Sequence, residues 1–297
     1  MKLLSYEVEH KILIGVLSKD EEWVFPVKSI GLDYKTMQEL VEGMSESEGQ
    51  LLEYMSGKDP FTIEGAARLD DVVKLAPIAV PKQDIICLGI NYMAHAEESA
   101  RAKKEEFHGE RPYAVYFSKR VNEVSRDGQV IPNHSDITEK LDYEVELAVI
   151  IGKDARNVSP EEAKEYVFGY TIMNDISARE IQNRHKQWYF GKSLDGCTPM
   201  GPWIVTRDTF SYPPKLQLQC IVNGELRQDS NTELMIFDID HIISELSQGM
   251  TLKAGTIIST GTPSGVGMGF DPPKFLKSGD TVECWIEGIG KIRNIIE

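Results

Sequence analysis

Acidic and apolar residues alternate through residues 141–147, and an unbroken apolar run then continues to Gly152. Alternation with a period of two predicts a β-strand, and the apolar run predicts that the strand enters the core. Side chains two residues apart in a strand share a face, so Asp142, Glu144 and Glu146 are expected to lie together. Stacked acids repel one another and are costly to bury without a positive partner.

Two interpretations of this acidic face are open at this point. It is either the solvated outer face of an antiparallel sheet or a set of ligands for a hard divalent cation, which prefers oxygen donors. The pattern of Glu144 and Glu146 alone does not separate them, and the remaining motifs have to decide.

Elsewhere the pattern predicts many short strands and few helices, and therefore a β-rich α+β fold with a rolled or barrel-like mixed sheet. Strands are predicted over 12–17, 23–27, 84–88, 168–173, 216–222, 225–228, 256–259, 281–287 and 291–296, with Asn223-Gly224 as a hairpin turn. Helices are predicted over 34–55, 94–106 and 239–249, and a short one opens at a capping box of Ser159 and Glu162. Two prolines within 75–81 favour extended chain and predict a boundary between a small N-terminal α/β domain, 1–76, and a main domain, 77–297.

Composition limits the classes of function. The 297 residues carry a formal net charge of −15, which argues against nucleic acid as a partner because phosphate binding needs basic patches. No apolar run is long enough to span a bilayer, and residues 1–7 are too quickly charged for a signal peptide. The four cysteines have no paired spacing, which favours reduced thiols and a cytoplasmic protein.

A second acidic element, Asn174-Asp175-Ile176-Ser177, follows the strand predicted over 168–173. Asp175 is either the N-cap of a helix or a third oxygen ligand beside Glu144 and Glu146. Three carboxylates and waters form a reasonable Mg²⁺ shell with positions left for a substrate.

Three further features could carry chemistry. His95 and Glu98 share a face of the predicted helix, so they form either a surface pair or a dyad able to deprotonate water. Lys192, between glycine and small polar residues, is either exposed or able to polarise a carbonyl and hold an oxyanion. The glycine-rich segment 259–269 is either a flexible loop or an anion-binding backbone, and it lacks the lysine of a nucleotide-binding loop.

Six motifs follow one another in order along residues 84–297, and together they resemble the fumarylacetoacetate hydrolase family. They are Gly89-Ile90-Asn91-Tyr92-Met93-Ala94-His95, Leu141-Asp142-Tyr143-Glu144-Val145-Glu146-Leu147, Asn174-Asp175-Ile176-Ser177-Ala178-Arg179, Gly191-Lys192-Ser193-Leu194-Asp195, Gly201-Pro202-Trp203 and Gly261-Thr262-Pro263-Ser264-Gly265-Val266-Gly267. One departure is that Ser118-Lys119-Arg120-Val121-Asn122-Glu123 stands where relatives often carry a Lys-Pro-Pro-Ser-like stretch beside the substrate pocket.

The resemblance implies a β-roll core in a homodimer and a divalent metal held by Glu144, Glu146 and Asp175. The metal would be Mg²⁺, with Mn²⁺ or Ca²⁺ as alternatives. The resemblance also implies roles for the other motif residues. His95 and Glu98 would activate water on a mobile lid, expected over 92–111, Lys192 would contact the substrate carbonyl or enolate, and Tyr92, Arg179 and Thr262 would bind the substrate.

The function that this resemblance implies is metal-dependent chemistry on a small 2-oxo acid or 1,3-dicarbonyl substrate, with hydrolysis of a C–C bond in an acylpyruvate as the first expectation. Decarboxylation of oxaloacetate, hydration of a dienoate and isomerisation of a double bond use the same enolate chemistry and stay open. A non-catalytic β-protein that binds Ca²⁺ structurally is the alternative from another class.

Overall fold

Eighteen strands and six α-helices are formed by residues 1–107, 109 and 112–297, which are the residues that this computed structural model describes. The strands are β1 (Lys2–Val8), β2 (Lys11–Leu17), β3 (Trp23–Pro26), β4 (Ala67–Arg68), β5 (Val73–Lys74), β6 (Ile85–Gly89), β7 (Val115–Lys119), β8 (Val130–Ile131), β9 (Leu141–Asp142), β10 (Val145–Ile151), β11 (Val167–Asn174), β12 (Ser177–Ala178), β13 (Met200–Thr206), β14 (Gln217–Val222), β15 (Glu225–Asn231), β16 (Ile257–Ser259), β17 (Thr281–Ile286) and β18 (Gly290–Ile296). The helices are α1 (Met37–Gly43), α2 (Glu46–Ser56), α3 (Met93–Lys103), α4 (Arg179–Arg184), α5 (Tyr189–Lys192) and α6 (Ile239–Gly249). The expected β-rich α+β fold is confirmed.

The main sheet has eleven strands, in the order β4-β3-β2-β1-β13-β11-β10-β16-β6-β7, with β5 paired to β1. A second sheet runs β15-β14-β17-β18-β8, and β9 pairs with β12 in a small third one. Most neighbours are antiparallel, but β16 pairs with β6, and β18 with β8, in parallel. Strands β10, β11 and β13 contact the second sheet, and apolar residues of both sheets form one core between them.

The N-terminal region joins the main sheet, because β1 pairs antiparallel with β13. Strands from both sides of the expected boundary at 76/77 therefore belong to one sheet, and the division into two domains stays a prediction. Among the described residues, no helix has the length and apolar character needed to cross a bilayer.

Two elements that the sequence predicts as continuous are interrupted in the structure, and those predictions are wrong. The single helix over 34–55 is two helices, because Ser45 caps α2 with a capping box to Glu48 and Met44 ends α1 in an extended conformation. The single strand through 141–151 breaks between β9 and β10. At this break, side-chain oxygens accept the hydrogen bonds of the backbone amides in place of a neighbouring strand. The Glu144 amide donates to Asn174 Oδ1 at 3.0 Å, and the Val145 amide donates to Gln228 Oε1 at 3.0 Å.

The strand connections bring several chain segments to one end of the main sheet. Strand β10 is antiparallel to both β11 and β16, so the start of β10 lies beside the ends of β11 and β16. Strand β6 is parallel to β16, and its end leads into α3. The acidic motifs, α3 and the glycine-rich segment therefore meet at this end.

Candidate active site

Three carboxylates lie together at this end of the sheet. Glu144 precedes β10, Glu146 lies within it, and Asp175 follows β11. Their side chains are buried, and one oxygen from each lies within 4.8 Å of the other two. The interpretation of the acidic strand face as solvated is therefore wrong. Asp175 is not a helix N-cap either, since Ala178 precedes α4.

Lys192 and Arg179 bring positive charge to this triad. Lys192 Nζ lies 2.6 Å from both Glu144 Oε2 and Asp175 Oδ2, and Arg179 Nη2 lies 2.7 Å from Glu144 Oε1. Burial lowers the pKa of Lys192, but the charges of Asp175 and Glu144 outweigh burial and raise that pKa above its usual range. Lys192 is therefore a charged donor, suited to hold an oxyanion rather than to act as a base.

Glu146 is in a different electrostatic position. Its Oε2 accepts from the Ser259 hydroxyl at 2.5 Å and from the Gly261 amide at 2.9 Å, which fixes the carboxylate. Burial, together with the charges of Asp175 and Glu144, holds the pKa of Glu146 well above its usual range. At Glu146, the negative charges of the triad therefore outweigh the positive charge of the neighbouring side chains.

The charge balance and the spacing fit a divalent cation. Buried carboxylates outnumber buried cationic side chains here by two when all are ionised: Glu98, Asp142, Glu144, Glu146 and Asp175 against Lys119, Arg179 and Lys192. Oxygens that share one cation lie at most about 4 to 5 Å apart, twice the metal–oxygen distance of Mg²⁺ or Ca²⁺. The triad meets that condition, and its all-oxygen donor set suits a hard cation.

Asp142 has a structural role instead. Its carboxylate accepts from Arg179 Nε at 2.9 Å and from the amides of Gly267 and Met268 at 2.7 and 3.0 Å. It is not one of the three residues of the triad. Asp142 therefore ties Arg179 to the glycine-rich segment.

Of the two interpretations of the glycine-rich segment, a flexible loop or an anion-binding backbone, the structure favours the second, and the groups that its amides bind are carboxyl groups of the chain itself. The amide of Gly261 donates to Glu146, that of Gly265 to Glu98, and that of Gly267 to Asp142. Gly261 has a φ of +93°, a left-handed conformation that glycine adopts without strain.

His95 and Glu98 form a buried pair on α3, and the interpretation of His95 as a surface histidine is wrong. His95 Nδ1 lies 3.0 Å from Glu98 Oε2, and both side chains are about 7% exposed. A carboxylate at Nδ1 favours the tautomer with its proton on that nitrogen, which leaves Nε2 able to accept a proton. The pair can therefore act as a general base.

Most of the expected site residues line one cavity. It is lined by His95, Glu144, Glu146, Arg179, Lys192 and Thr262, among others. The Thr262 hydroxyl already donates to the Val145 carbonyl and accepts from Gln228 Nε2. Tyr92 is buried outside the lining, and among the described residues its hydroxyl has no hydrogen-bond partner. Residues 108, 110 and 111 of the expected lid lie outside the described residues.

A family model described as the C-terminal domain of fumarylacetoacetate (FAA) hydrolase matches residues 84–297. The chain belongs to the fumarylacetoacetate hydrolase family. The predicted resemblance is confirmed, and the matched range contains the triad, Lys192 and the His95–Glu98 pair.

Similar proteins of this family cover the full length of the chain. Oxaloacetate tautomerase YisK of Bacillus subtilis is 41% identical, with 100% of both chains covered. The structure of a fumarylacetoacetate hydrolase from Exiguobacterium antarcticum has 39% identity and a TM-score of 0.83, covering 100% of this chain and 99% of that one. Maleylpyruvate hydrolase from Sphingobium sp. SYK-6, solved with manganese(II) and pyruvate, has 28% identity and a TM-score of 0.76, covering 100% and 98%.

Sequence reasoning missed Lys119, which lies in the segment that departs from the usual family motif. Its side chain has no exposed surface, and Nζ donates to Asp175 Oδ1 at 2.8 Å and to the Ile176 carbonyl at 2.9 Å. Lys119 therefore fixes the carboxylate of the triad that Lys192 also contacts. Lys119 ends β7, and the sequence around it gives no local signal of burial because its partner Asp175 lies 56 residues away.

Replacing Lys119 with methionine is expected to destabilise the protein by about 3 to 5 kcal/mol, the usual cost of leaving one partner of a buried ion pair alone. It is also expected to weaken Mn²⁺ binding about 10- to 100-fold, because Asp175 loses a group that orients it. Urea unfolding and calorimetry measure the two effects. The control is Lys82→Met, which breaks an exposed pair with Glu42 and should cost less than about 1 kcal/mol. Equal stability of the two variants would contradict the role of Lys119.

Proposed function

We propose that this protein is a divalent-cation-dependent tautomerase that interconverts the enol and keto forms of oxaloacetate. The observation that carries the proposal is that one cavity is lined by His95, by Lys192 held in its charged form, and by Glu144 and Glu146 of the acidic triad. Glu98 contacts His95, and Asp175 completes the triad behind this lining. The 41% identity to an oxaloacetate tautomerase over the whole chain supports the choice of reaction and substrate.

The triad would hold the cation through Glu144, Glu146 and Asp175. When bound, the cation would withdraw electrons from a 2-oxo acid and so lower the energy of its enolate. Mg²⁺ is the proposed cation, and Mn²⁺ or Ca²⁺ also suit oxygen ligands.

The chain's own groups account for the proton transfer. His95 Nε2 removes a proton from C3 of the keto form while Glu98 holds Nδ1, and the protonated His95 then gives this proton to the C2 oxygen, which yields the enol. In the opposite direction His95 Nε2 takes the proton of the C2 hydroxyl and gives it to C3. No bond between carbon atoms breaks, so the reaction needs no water nucleophile.

Lys192 and Arg179 would stabilise the negative charge that develops on the substrate. Both are buried and held in place by carboxylates, so they need little reorganisation during the reaction. The cavity, about 30 Å³ in volume, has room for roughly one or two water molecules. A four-carbon substrate therefore requires movement of α3 or of the cavity wall opposite α3. Closure of the cavity around the bound substrate would then exclude water.

Hydrolysis of a C–C bond, the first expectation from the sequence resemblance, is the second candidate. It is favoured by the likeness to maleylpyruvate hydrolase, whose structure was solved with manganese(II) and pyruvate. In that reaction His95 would activate water instead of moving a proton to and from C3. A structural Ca²⁺ site is less well supported, because His95 and Lys192 line the same cavity as Glu144 and Glu146. Homodimeric assembly and a cytoplasmic location stay proposals.

A substrate panel tests the proposal. The purified protein is given enol-oxaloacetate, maleylpyruvate and an acylpyruvate, each with Mg²⁺ and with chelator. We expect the ketonisation of oxaloacetate to be accelerated in the presence of Mg²⁺ and to return to the uncatalysed rate with chelator. Rapid cleavage of an acylpyruvate without acceleration of ketonisation would overturn the tautomerase in favour of the hydrolase.

A further inference from the structure

The carboxylate of Glu98 is held at both of its oxygens. Oε2 lies 3.0 Å from His95 Nδ1, and Oε1 accepts from the Gly265 amide at 2.9 Å. The first contact is within α3, whereas the second joins α3 to the glycine-rich segment. The orientation of the His95 imidazole therefore depends on a loop more than 160 residues further along the chain.

Gly269 leaves the space that this carboxylate occupies. A Cβ atom at position 269 would lie 2.1 Å from Glu98 Oε1, 2.3 Å from its Cδ and 2.5 Å from its Cγ. All three distances are shorter than real Cβ contacts, and all three atoms belong to Glu98. Gly269 has no positive φ, so alanine at this position would not strain the backbone.

Gly265 and Gly267 of the same segment differ in this respect. A Cβ atom at Gly265 would meet the Arg227 carbonyl at 1.9 Å, and one at Gly267 would meet the Lys274 carbonyl at 2.4 Å. Substitution of either glycine would disturb the backbone itself. Only position 269 of these three sets a Cβ atom against Glu98.

Hydrogen bonds hold the loop around Gly269 in place. The amides of Gly267 and Met268 donate to the buried carboxylate of Asp142 at 2.7 and 3.0 Å. Asp142 is itself bound by Arg179. A methyl group at position 269 would therefore displace the flexible Glu98 side chain and leave the loop in place.

We infer that Gly269 is a positioning residue for the acid–base pair, because the absence of a side chain there lets Glu98 bind the Gly265 amide and orient His95. The inference rests on the proposed function for the role of His95. With alanine at position 269, Glu98 loses one or both of its contacts, and the imidazole of His95 loses the carboxylate that orients it. Displacement of a reacting group by about 1 Å can cost on the order of 10²-fold in rate.

The test is a double-mutant cycle between Gly269→Ala and Glu98→Ala, with Gly249→Ala as the matched control. Gly249 also lacks a positive φ, and a Cβ atom there would meet nothing within 4 Å. Gly269→Ala is expected to lower kcat about 10- to 100-fold, with KM and Mn²⁺ affinity within about twofold of wild type. In the Glu98→Ala background it should cost less than about twofold, because the clash is gone. An equal loss in both backgrounds, or no loss in the wild-type background, would overturn the inference.

Hydrogen exchange separates this inference from the proposed function, because it requires no turnover. Faster exchange of the α3 amides and of the Gly265 amide is expected in Gly269→Ala, because α3 and the loop lose the contact between Glu98 and Gly265. The other amides of this variant, and all amides of Gly249→Ala, should exchange at the wild-type rate. That result supports the positioning role even if oxaloacetate is not the substrate. Unchanged exchange in α3 would overturn it even if oxaloacetate is the substrate.

Discussion

Replacing Glu146 with glutamine is expected to abolish cation binding and to lower the rate by at least about 10³-fold. Electrophilic stabilisation by a bound metal contributes several kcal/mol to a transition state, and each 1.36 kcal/mol corresponds to about a factor of ten. Glutamine keeps the size of the side chain, and its carbonyl oxygen can still accept from Ser259 and Gly261. The change therefore removes the charge and leaves the local structure.

The stability of this variant should move in the opposite direction. Burial and two neighbouring carboxylates disfavour the charged form of Glu146, so a neutral side chain relieves repulsion. We expect a melting temperature in chelator equal to or above that of wild type, and no further rise when Mn²⁺ is added. Glu283→Gln, which alters a surface pair with Lys291, is the control and should keep the Mn²⁺-dependent rise. Wild-type Mn²⁺ affinity in Glu146→Gln would show that the triad is not the metal site.

Replacing His95 with alanine is expected to lower the rate of tautomerisation by about 10²- to 10⁴-fold, the usual size of a general acid–base contribution. The affinity for Mn²⁺ should stay within about twofold of wild type, because His95 contributes no atom to the triad. Steady-state kinetics and Mn²⁺ calorimetry on one preparation measure both quantities. His241→Ala, at a partly exposed histidine that contacts Glu245, is the control and should keep full activity. A His95→Ala enzyme with the wild-type rate would remove the acid–base pair from the mechanism.

The residues of the site could be predicted from the sequence where their chemistry is local. Glu144 and Glu146 are two residues apart, and His95 and Glu98 share a helical face, so spacing alone brings each pair together. Their assembly into one site follows from the strand order of the main sheet, which the spacing does not specify. The ordered family motifs supplied that information instead.

What the sequence did not predict depends on contacts between distant segments. Lys119 belongs to the site because the end of β7 lies next to the chain that follows β11. No periodicity in the sequence near Lys119 indicates that it pairs with the buried Asp175. The break between β9 and β10 arises because Asn174 and Gln228 take the amides of Glu144 and Val145. The sequence left the glycine-rich segment open between a flexible loop and an anion-binding backbone. Its amides bind the carboxyl groups of Glu98, Asp142 and Glu146, which lie far away in the chain.

The most direct test of the central claim is the exchange of the C3 protons of oxaloacetate in deuterated water, followed by proton NMR at matched Mg²⁺. Tautomerisation through His95 predicts that wild-type enzyme accelerates this exchange above the uncatalysed rate. His95→Ala and Glu146→Gln should each reduce the acceleration by at least about 100-fold, whereas His241→Ala should retain it. C3 exchange at the uncatalysed rate with wild-type enzyme and Mg²⁺, or equal acceleration by wild type and His95→Ala, would contradict the account.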